Sequence, residues 1–289
     1  MRQRGWPITP FAILFEEGER GKSHASIGRY PPRFDRKIGG GCSSKLISGG
    51  GVVLFFSPHQ DDELLALGAY AQHVISKGAD AHVVLCSDGT KSCVRQILGD
   101  AHSCDKHDGL HDYRLDEAAF SDARDREYLA SCQAIGYRPS RIHFAPRRAV
   151  DGSLSREEAS AIIQRYLDVF PGAEVCTISP LVGESQHRDH RHLGEAAVEL
   201  WRKGRIRRLN LFVEPYCLEA FRSENPDVEL SHVAADGFKK AGLTSAVSQY
   251  CFWDPGVGRY AIGYHSVTGE FDAFMKEPAS YWHTADGRM

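Results

Sequence analysis

The chain has 289 residues, of which 42% are hydrophobic and 25% charged, and its 35 basic and 38 acidic residues give a formal net charge of −3. Because these proportions are those of an ordinary globular protein, they exclude a disordered or fibrous chain. The near-neutral charge excludes a broad basic field for nucleic acid or anionic lipid, and no apolar run approaches the roughly 18 residues of a membrane span.

Residues 1–50 show no sustained periodicity, contain several prolines and end in a glycine-rich stretch. This pattern predicts an N-terminal extension or linker, and the short apolar patch followed by acidic residues does not indicate a secretory signal. The segment 39–45 is only faintly similar to a phosphate-binding loop, because it lacks the Gly-Lys-Ser/Thr ending and a preceding apolar strand.

Strand-like and helix-like segments alternate from residue 52, which predicts a Rossmann-like α/β domain over 51–289, with a mostly parallel sheet, helices on both faces and a site at the carboxyl ends of the strands. A polar insertion at about 87–121 interrupts the alternation, and such long irregular segments usually carry function. Strands are predicted at 52–56, 81–86, 141–145, 174–179 and 208–214. Helices are predicted at 63–77, 122–135, 155–170, 190–203 and 235–247.

The sequence Ser-Pro-His-Gln-Asp-Asp-Glu follows the first predicted strand, at residues 57–63. One imidazole with adjacent carboxylates, here His59, Asp61 and Asp62, can hold a divalent ion through one acid and leave the other to move protons. Helix capping is the alternative explanation for an acid at this position. Since capping needs one acid and three follow the histidine, capping leaves two of them unexplained.

A second constellation, at residues 179–192, lies at the end of the predicted strand 174–179. If a helix begins near Asp189 or His190, then His187 and His190 can face the same cleft from the loop and the first turn. A solvated polar loop is the alternative for this run taken alone. Because both runs follow strands of one sheet, His59, Asp62 and His190 predict a zinc site with two histidines, one carboxylate and an open position for water.

At these two motifs the chain resembles the PIG-L/LmbE family of zinc-dependent N-acetyl amino-sugar deacetylases, whose signatures are P-H-x-D-D-E and H-x-D-H. The signatures stand here at residues 58–63 and 187–190. The resemblance extends from about residue 52 to residue 250 and includes the segment 84–90 and the R-x-x-E pair of Arg124 and Glu127.

The resemblance implies one zinc ion, or another divalent metal, with Asp61 as the general base that takes a proton from the attacking water. It also implies that His187 stabilises the oxyanion or protonates the leaving amine, with Asp189 orienting His187. The implied metal ligands are His59, Asp62 and His190.

The resemblance makes Arg124 the leading substrate contact and Asp88 a weaker one. The alternative for Arg124 is a pair with Glu127 on the helix surface. Gln60 replaces the more usual proline of the first signature, at a position that we expect to face away from the ligands. Ser185 stands where some family members have a tyrosine that polarises the substrate carbonyl, which puts that auxiliary role in doubt.

The insertion contains Cys93, Cys104 and three histidines, His102, His107 and His111. A second metal site is one interpretation, but Cys93 and Cys104 are eleven residues apart and lack the short chelating pairs that structural zinc prefers. We favour the interpretation that the insertion is a polar lid or a substrate-binding loop.

These features predict a hydrolase that removes the acetyl group from an N-acetylated amino sugar or glycoconjugate, releasing acetate and a free amine. The expected partner is that small molecule, with no nucleic acid and no membrane span, and a homo-oligomer is left open. Eight cysteines without a C-x-x-C pair predict a reducing, cytoplasmic location.

Three alternatives remain at the level of sequence. The first is a hydrolase of another sugar-linked amide, with a longer acyl chain or a thiol conjugate. The second is a non-catalytic carbohydrate-binding protein of the same fold. The third is a phosphoesterase, which often needs a second metal about 3.5–4 Å away and more bridging carboxylates.

Overall fold

The computed structural model describes residues 51–182 and 186–285. The predicted N-terminal extension, with its glycine-rich segment 39–45, lies outside the described residues, and so does Ser185. The assignment of residues 1–50 to an extension therefore stays a prediction.

The described chain alternates strands and helices, as the sequence pattern predicts. The strands are β1 Val52–Ser57, β2 Asp80–Ser87, β3 His102–Ser103, β4 Leu110–His111, β5 Ile142–Ala149, β6 Glu174–Ile178, β7 Arg208–Val213, β8 Ser231–Ala234, β9 Trp253–Asp254, β10 Arg259–Tyr260 and β11 Ala279–Thr284. The helices are α1 Asp62–Leu65, α2 Gly68–Ser76, α3 Val94–Gly99, α4 Glu117–Ile135, α5 Arg156–Val169, α6 Arg188–Arg202, α7 Leu218–Glu224, α8 Gly237–Cys251, α9 Ile262–Ser266 and α10 Thr268–Lys276.

Seven strands form one sheet in the order β5-β2-β1-β6-β7-β11-β8. The first five are parallel, and β11 pairs antiparallel with both β7 and β8. This confirms the predicted Rossmann-like, mostly parallel sheet. The strand order reverses between β1 and β6, and ligands in open α/β sheets bind in the crevice outside the carboxyl ends of the strands at such a switch point.

Two hydrophobic layers cover the sheet, one on each face. Alternate residues of β1 point to opposite faces, so Val53 and Phe55 pack with α2, α4 and α8, while Leu54 and Phe56 pack with α5 and α6. Because β1 is buried on both sides, it reads as a continuous apolar run. The two polar motifs therefore follow the carboxyl ends of central strands that both layers hold in place.

The helix predicted at 235–247 continues to Cys251, and two other predicted helices differ more from the observed ones. The helix predicted at 63–77 is split into α1 and α2, because the amides of Ala66 and Leu67 both bond to the Asp62 carbonyl oxygen, at 3.2 Å each, and the regular pattern is lost there. The helix predicted from residue 122 begins at Glu117, because the Asp116 carboxylate accepts the Ala119 amide at 2.8 Å and caps the first turn.

Candidate metal centre

The two polar motifs meet at the switch point of the sheet, one after β1 and the other after β6. Side chains that follow the ends of β5 and β7 join them, so four parallel strands supply one crevice. Three groups of residues that could hold a metal ion overlap there: His59, His187 and His190; His59, Asp151 and Asp189; and Asp62, His190 and Glu214.

The first motif folds into a tight turn that begins α1. The Asp62 carboxylate accepts the His59 amide at 2.9 Å, and the Asp61 amide donates to Glu63 at 2.9 Å. Asp61 has a φ of 115°, which lies in a backbone region that residues other than glycine rarely adopt. Such strain persists where the surroundings over-determine the conformation, as they do at functional sites. The predicted alternative of helix capping is not supported at α1, since Asp61 makes no side-chain capping bond there.

Three buried ligand atoms form a nearly equilateral triangle. His59 Nδ1 lies 3.0 Å from His190 Nε2 and 3.4 Å from Asp62 Oδ2, and His190 Nε2 lies 3.2 Å from Asp62 Oδ2. Ligands about 2.0–2.2 Å from a tetrahedral zinc ion are separated by about 3.3 Å. The three side chains therefore fit one divalent ion with a fourth position left open.

The outer nitrogen of each ligand imidazole faces carboxylates. His190 Nδ1 lies 3.2 Å from Glu214, while His59 Nε2 lies 3.2 Å from Asp189 and 3.3 Å from Asp151. Carboxylates in this position fix the tautomer and orientation of a metal-ligating histidine and raise its basicity.

The charges of the centre are strongly coupled. Burial alone would lower the pKa of His59, but its hydrogen bonds with Asp151, Asp189 and Asp62 raise the pKa well above its usual range. Burial likewise opposes the rise in the pKa of His190 to about 10, which its acidic neighbours cause. Conversely, burial would raise the pKa of Asp62, and the two imidazoles hold it well below its usual range. A divalent cation would replace the protons that balance these carboxylates.

Asp61 lies beside the ligand triangle without belonging to it. The Arg124 guanidinium is 3.4 Å from Asp61 Oδ2 and also donates to the Gln60 carbonyl oxygen at 2.8 Å. Burial and the negative charge of Asp62 raise the pKa of Asp61 to about 7, against the opposing effect of Arg124. A carboxylate that titrates near neutral pH suits proton transfer.

Asp189 contacts His187 through its backbone and not through its carboxylate. The carboxylate accepts the amides of Gly152, at 2.8 Å, and Leu154, at 3.0 Å, and lies against His59. The His187 Nδ1 atom instead accepts the Asp189 amide at 3.3 Å. The amide contact agrees with the predicted role of Asp189 in orienting His187, and the carboxylate also holds His59 and the loop after β5.

His187 lies at the edge of the same cleft. Its ring packs edge-on against His59, with ring centroids 4.5 Å apart, and its Nε2 atom is 3.9 Å from Asp151. Because the Asp189 amide occupies Nδ1, a neutral ring carries its proton on Nε2, the nitrogen that faces the cleft. Burial and the neighbouring imidazoles lower the pKa of His187.

The two residues predicted to contact the substrate, Asp88 and Arg124, both make hydrogen bonds within the protein. Asp88 Oδ1 accepts the Thr90 amide and hydroxyl and the Asp151 amide, within 3.1 Å, so it builds the loops around the cleft. Arg124 is 3% exposed and cannot be half of the surface pair that we considered. Its buried Nε atom makes no hydrogen bond among the described residues.

The partner considered for Arg124, Glu127, has another role. Its carboxylate accepts the amides of Ile262, at 2.8 Å, and Gly263, at 3.0 Å, and so holds the start of α9 against α4. Gln60 donates to Asp125 at 2.9 Å, and its side chain lies against α4, away from the ligand triangle as predicted.

Sequence reasoning missed Asp151, Glu214, Tyr216 and Glu270. The signal was present for the first two, because each closely follows the end of a parallel strand, like both recognised motifs. Tyr216 donates to Glu214 at 3.0 Å. Burial and the charges of Asp61, Glu214 and Asp62 raise the pKa of Glu270 to about 8, and it comes from α10, far along the chain.

A family model described as PIG-L: GlcNAc-PI de-N-acetylase matches residues 54–201, slightly more than half of the chain. The chain is also similar to the 1D-myo-inositol 2-acetamido-2-deoxy-alpha-D-glucopyranoside deacetylase of Mycolicibacterium gilvum, with 33% identity over 162 residues, or 51% of this chain and 54% of that relative. The chain thus spans about half the length of the curated relatives it matches.

Two solved structures share the fold at low sequence identity. A deacetylase from the teicoplanin biosynthesis pathway aligns with a TM-score of 0.55 and 16% identity, covering 82% of this chain and 99% of that one. N,N'-diacetylchitobiose deacetylase from Pyrococcus horikoshii aligns with a TM-score of 0.55 and 14% identity, covering 82% of this chain and 84% of that one. At these identities the likeness shows the fold.

Proposed function

The chain belongs to the PIG-L family, and from this premise we propose that it is a metal-dependent hydrolase that removes the acetyl group from an N-acetylated amino sugar or glycoconjugate. The observation that carries the proposal is the triangle of His59, Asp62 and His190 with Asp61 beside it. In the reaction the amide C–N bond breaks, a C–O bond to water forms, and acetate and a free amine leave.

We assign zinc to the triangle because two imidazoles, one carboxylate and an open position are a donor set that catalytic zinc uses. When bound, zinc supplies a Lewis acid that polarises the acetamide carbonyl and lowers the pKa of water. Reconstitution of metal-free protein with zinc, cobalt, nickel or manganese tests the assignment, and activity restored by manganese but never by zinc would contradict it.

Asp61 takes the proton from the attacking water in this proposal. The Arg124 guanidinium beside it favours the ionised carboxylate, and Asp62 opposes it, so the group can accept a proton and release it again. His187 presents its Nε2 proton from the edge of the cleft, where it can stabilise the developing oxyanion or protonate the leaving amine. Arg124 holds the Asp61 carboxylate in place beside the ligand triangle.

Acetate release from an array of N-acetylated sugars and glycosides tests the proposal, with Asp61→Asn as the central variant. We expect this variant to retain its zinc and to lose roughly 10²–10⁴-fold in kcat, the range for a positioned general base. Asp122→Asn, on the exposed face of α4, is the matched control. Undiminished turnover by metal-loaded Asp61→Asn would remove Asp61 from this role.

No acetate release from the array despite stoichiometric zinc would favour the non-catalytic carbohydrate-binding alternative. The intact set of ligand and proton-transfer groups argues against that alternative. A binding protein has no need of a carboxylate residue with a strained backbone beside an open metal position.

A larger acyl group is the second candidate, because a mostly apolar cavity of about 410 Å³ lies next to Glu214. Tyr216 lines this cavity and donates to Glu214, which contacts His190. Leu65, Val267 and Phe274 supply much of the apolar wall. A longer acyl chain or an apolar aglycone fits such a lining better than water-exposed sugar hydroxyls.

Ala273→Phe, which narrows this cavity, separates the two candidates. If the cavity holds a long acyl chain, kcat/KM for long-acyl substrates falls about tenfold or more, while acetyl substrates are unaffected. Equal effects on both substrate types would remove the cavity from acyl recognition.

We further propose a reducing, cytoplasmic location, supported by the seven described cysteines, all of which are free thiols. No helix among the described residues is long and apolar enough to cross a membrane. The assembly state is open, and light scattering at several protein concentrations would determine it.

A further inference from the structure

Four potential ligands from two distant parts of the chain meet outside the crevice. Cys104, His107 and His111 lie in the polar insertion, and His265 lies in α9. Each offers one ligand atom, and the four atoms all lie within 4.8 Å of one another. We call these four residues the insertion cluster.

The spacing of the atoms in the insertion cluster is that of a tetrahedral site. Cys104 Sγ lies 3.3 Å from His265 Nε2, and the Nε2 atoms of His107 and His111 are 2.9 Å apart. Zinc bound to thiolate at about 2.3 Å and to imidazole at about 2.0 Å separates such atoms by about 3.3–3.6 Å. A small outward movement of two rings would accommodate the ion.

The arrangement of the three imidazole rings also fits a tetrahedral metal site. Their centroids are 5.1 Å apart for His107 and His111, 5.2 Å for His107 and His265, and 4.9 Å for His111 and His265. Three imidazoles bound through Nε2 to one tetrahedral ion have centroids about 5 Å apart. A chance grouping of histidines has no reason to be this symmetrical.

The local backbone prepares these side chains for a ligand. The β3–β4 hairpin, with the Cys104 amide bonded to the Gly109 carbonyl oxygen at 3.3 Å, presents Cys104, His107 and His111 on one turn. The His265 Nδ1 atom lies 2.7 Å from the Ala261 carbonyl oxygen and must donate to it, which leaves Nε2 as the acceptor nitrogen, facing Cys104 Sγ.

Backbone strain is also concentrated around this cluster. Ala101, just before β3, and Ala261, just before α9, both have a φ of 48°. Besides Asp61 in the crevice, they are the residues other than glycine with positive φ in the described ranges 51–182 and 186–285. The left-handed conformation is unfavourable for alanine, and a bound ion would offset that cost in both segments that lead into the cluster.

We propose that Cys104, His107, His111 and His265 bind a second zinc ion, in a structural site with four protein ligands and no open position. The sequence spacing C-x₂-H-x₃-H supplies the short chelating pairs, and Cys93, which is exposed, takes no part. Binding releases the Cys104 thiol proton and leaves a thiolate on the ion. The site is independent of the deacetylase proposal.

The second zinc ion would anchor the insertion to α9. The start of α9 is held by Glu127, one turn of α4 beyond Arg124, so the insertion, α9 and the Arg124 wall of the crevice form one connected unit. Trp253 stacks on His107, with ring centroids 3.6 Å apart, and covers the cluster. Loss of the ion would therefore free the β3–β4 hairpin from α9, while Val94 and Leu98 would keep the rest of the insertion packed against Ile262.

The metal content of the full-length protein tests the proposal. After zinc loading and removal of loose metal by gel filtration, we expect two zinc ions per chain, one in Cys104→Ala or His265→Ala, and one in His59→Ala. The exposed Cys93→Ala and His102→Ala are matched controls from the same insertion and should keep two. His102 is the sharper control, because its ring centroid lies 4.6 Å from that of His111 although it offers no ligand atom to the set.

A measurement on a chain with an intact insertion guards against variants that fail to fold. His59→Ala loaded with cobalt should show the near-ultraviolet thiolate-to-cobalt charge-transfer absorption, and Cys93→Ala should keep it while Cys104→Ala loses it. Absence of this absorption in the His59→Ala protein, or zinc content unchanged by Cys104→Ala and His265→Ala together, would overturn the proposal. Inactivity of the protein toward all amides would leave these readouts unaffected.

Discussion

The crevice and the insertion cluster bring together similar side chains in opposite ways. The crevice takes its three ligands from the ends of two adjacent parallel strands and leaves one position open, with carboxylates behind both imidazoles. The insertion cluster takes four ligands from a short hairpin and a distant helix and backs one imidazole with a backbone carbonyl. The open set suits chemistry on a substrate, whereas the closed set suits anchorage.

The comparison also shows where strain is stored. In the crevice it lies at Asp61, the residue proposed to move the proton, while around the insertion cluster it lies at Ala101 and Ala261, which only direct the backbone. The first kind of strain shapes a reactive side chain, and the second shapes the path of the chain into a ligand set.

His190→Ala should have the largest effect, because it removes one ligand of the open triangle. We expect loss of that metal and a fall in kcat/KM of roughly 10⁴-fold or more, since the variant lacks the Lewis acid. His265→Ala, which removes one ligand of the closed set, should lower the thermal stability of the protein far more than its turnover. Steady-state kinetics and thermal melts of the two variants check the contrast, and equal losses of activity would break it.

Glu127→Gln tests the contact between α4 and α9, which connects the two regions, by its effect on the free energy of unfolding. Burial raises the pKa of Glu127 to about 7, so between its ordinary value of 4.5 and 7 the folded chain keeps a proton that the unfolded chain has released. Rising pH through this window therefore lowers the free energy of unfolding, by up to about 3 kcal/mol.

The glutamine variant should lack this dependence, so its stability relative to the wild type should rise by about 3 kcal/mol from pH 4.5 to pH 8. Glutamine also lacks one of the two carboxylate oxygens that accept backbone amides. This loss changes the free energy of unfolding by the same amount at every pH and so leaves its pH dependence unaffected. Urea denaturation across this range measures the difference, with the exposed Glu157→Gln as control. Parallel curves for Glu127→Gln and the wild type would contradict the expected pKa.

Glu214→Gln should have a smaller effect, confined to the crevice. Loss of the carboxylate behind His190 Nδ1 should weaken metal binding about 10–100-fold, the usual result of removing such a group. Competition with a chelator measures the affinity, and the cobalt-thiolate absorption of the insertion cluster should stay unchanged. A shift in that absorption would show that the two regions are more closely coupled than their separate ligand sets suggest.

The part of the site that lies in contiguous motifs was predictable, because His59, Asp61, Asp62 and His190 each follow a strand whose apolar run is plain in the sequence. Glu214 was recognisable in principle, since it ends the predicted strand 208–214. The contact of the Asp189 carboxylate with the loop after β5 was not, because only the folded chain brings that loop close.

The fold shows the same division. The parallel core was predictable from the alternation of apolar strands and amphipathic helices. The antiparallel strand β11 was not predicted, since its place between β7 and β8 depends on pairing over a long sequence separation. Likewise, the spacing of Cys104, His107 and His111 is visible in the sequence, but the fourth ligand, His265, is identified only once α9 packs beside the hairpin.

The separate origin of each loop at the crevice has a consequence for how such a protein can diversify. Because the insertion leaves the sheet after β2 and returns through α4, its length and composition can change without moving the strands that carry His59 and His190. An exchange of the segment 91–116 would keep Asp88 and Gly89, which contact Asp151 and Arg124 beside the crevice. The same exchange would remove three of the four residues of the insertion cluster, so a grafted loop would need its own means of anchorage.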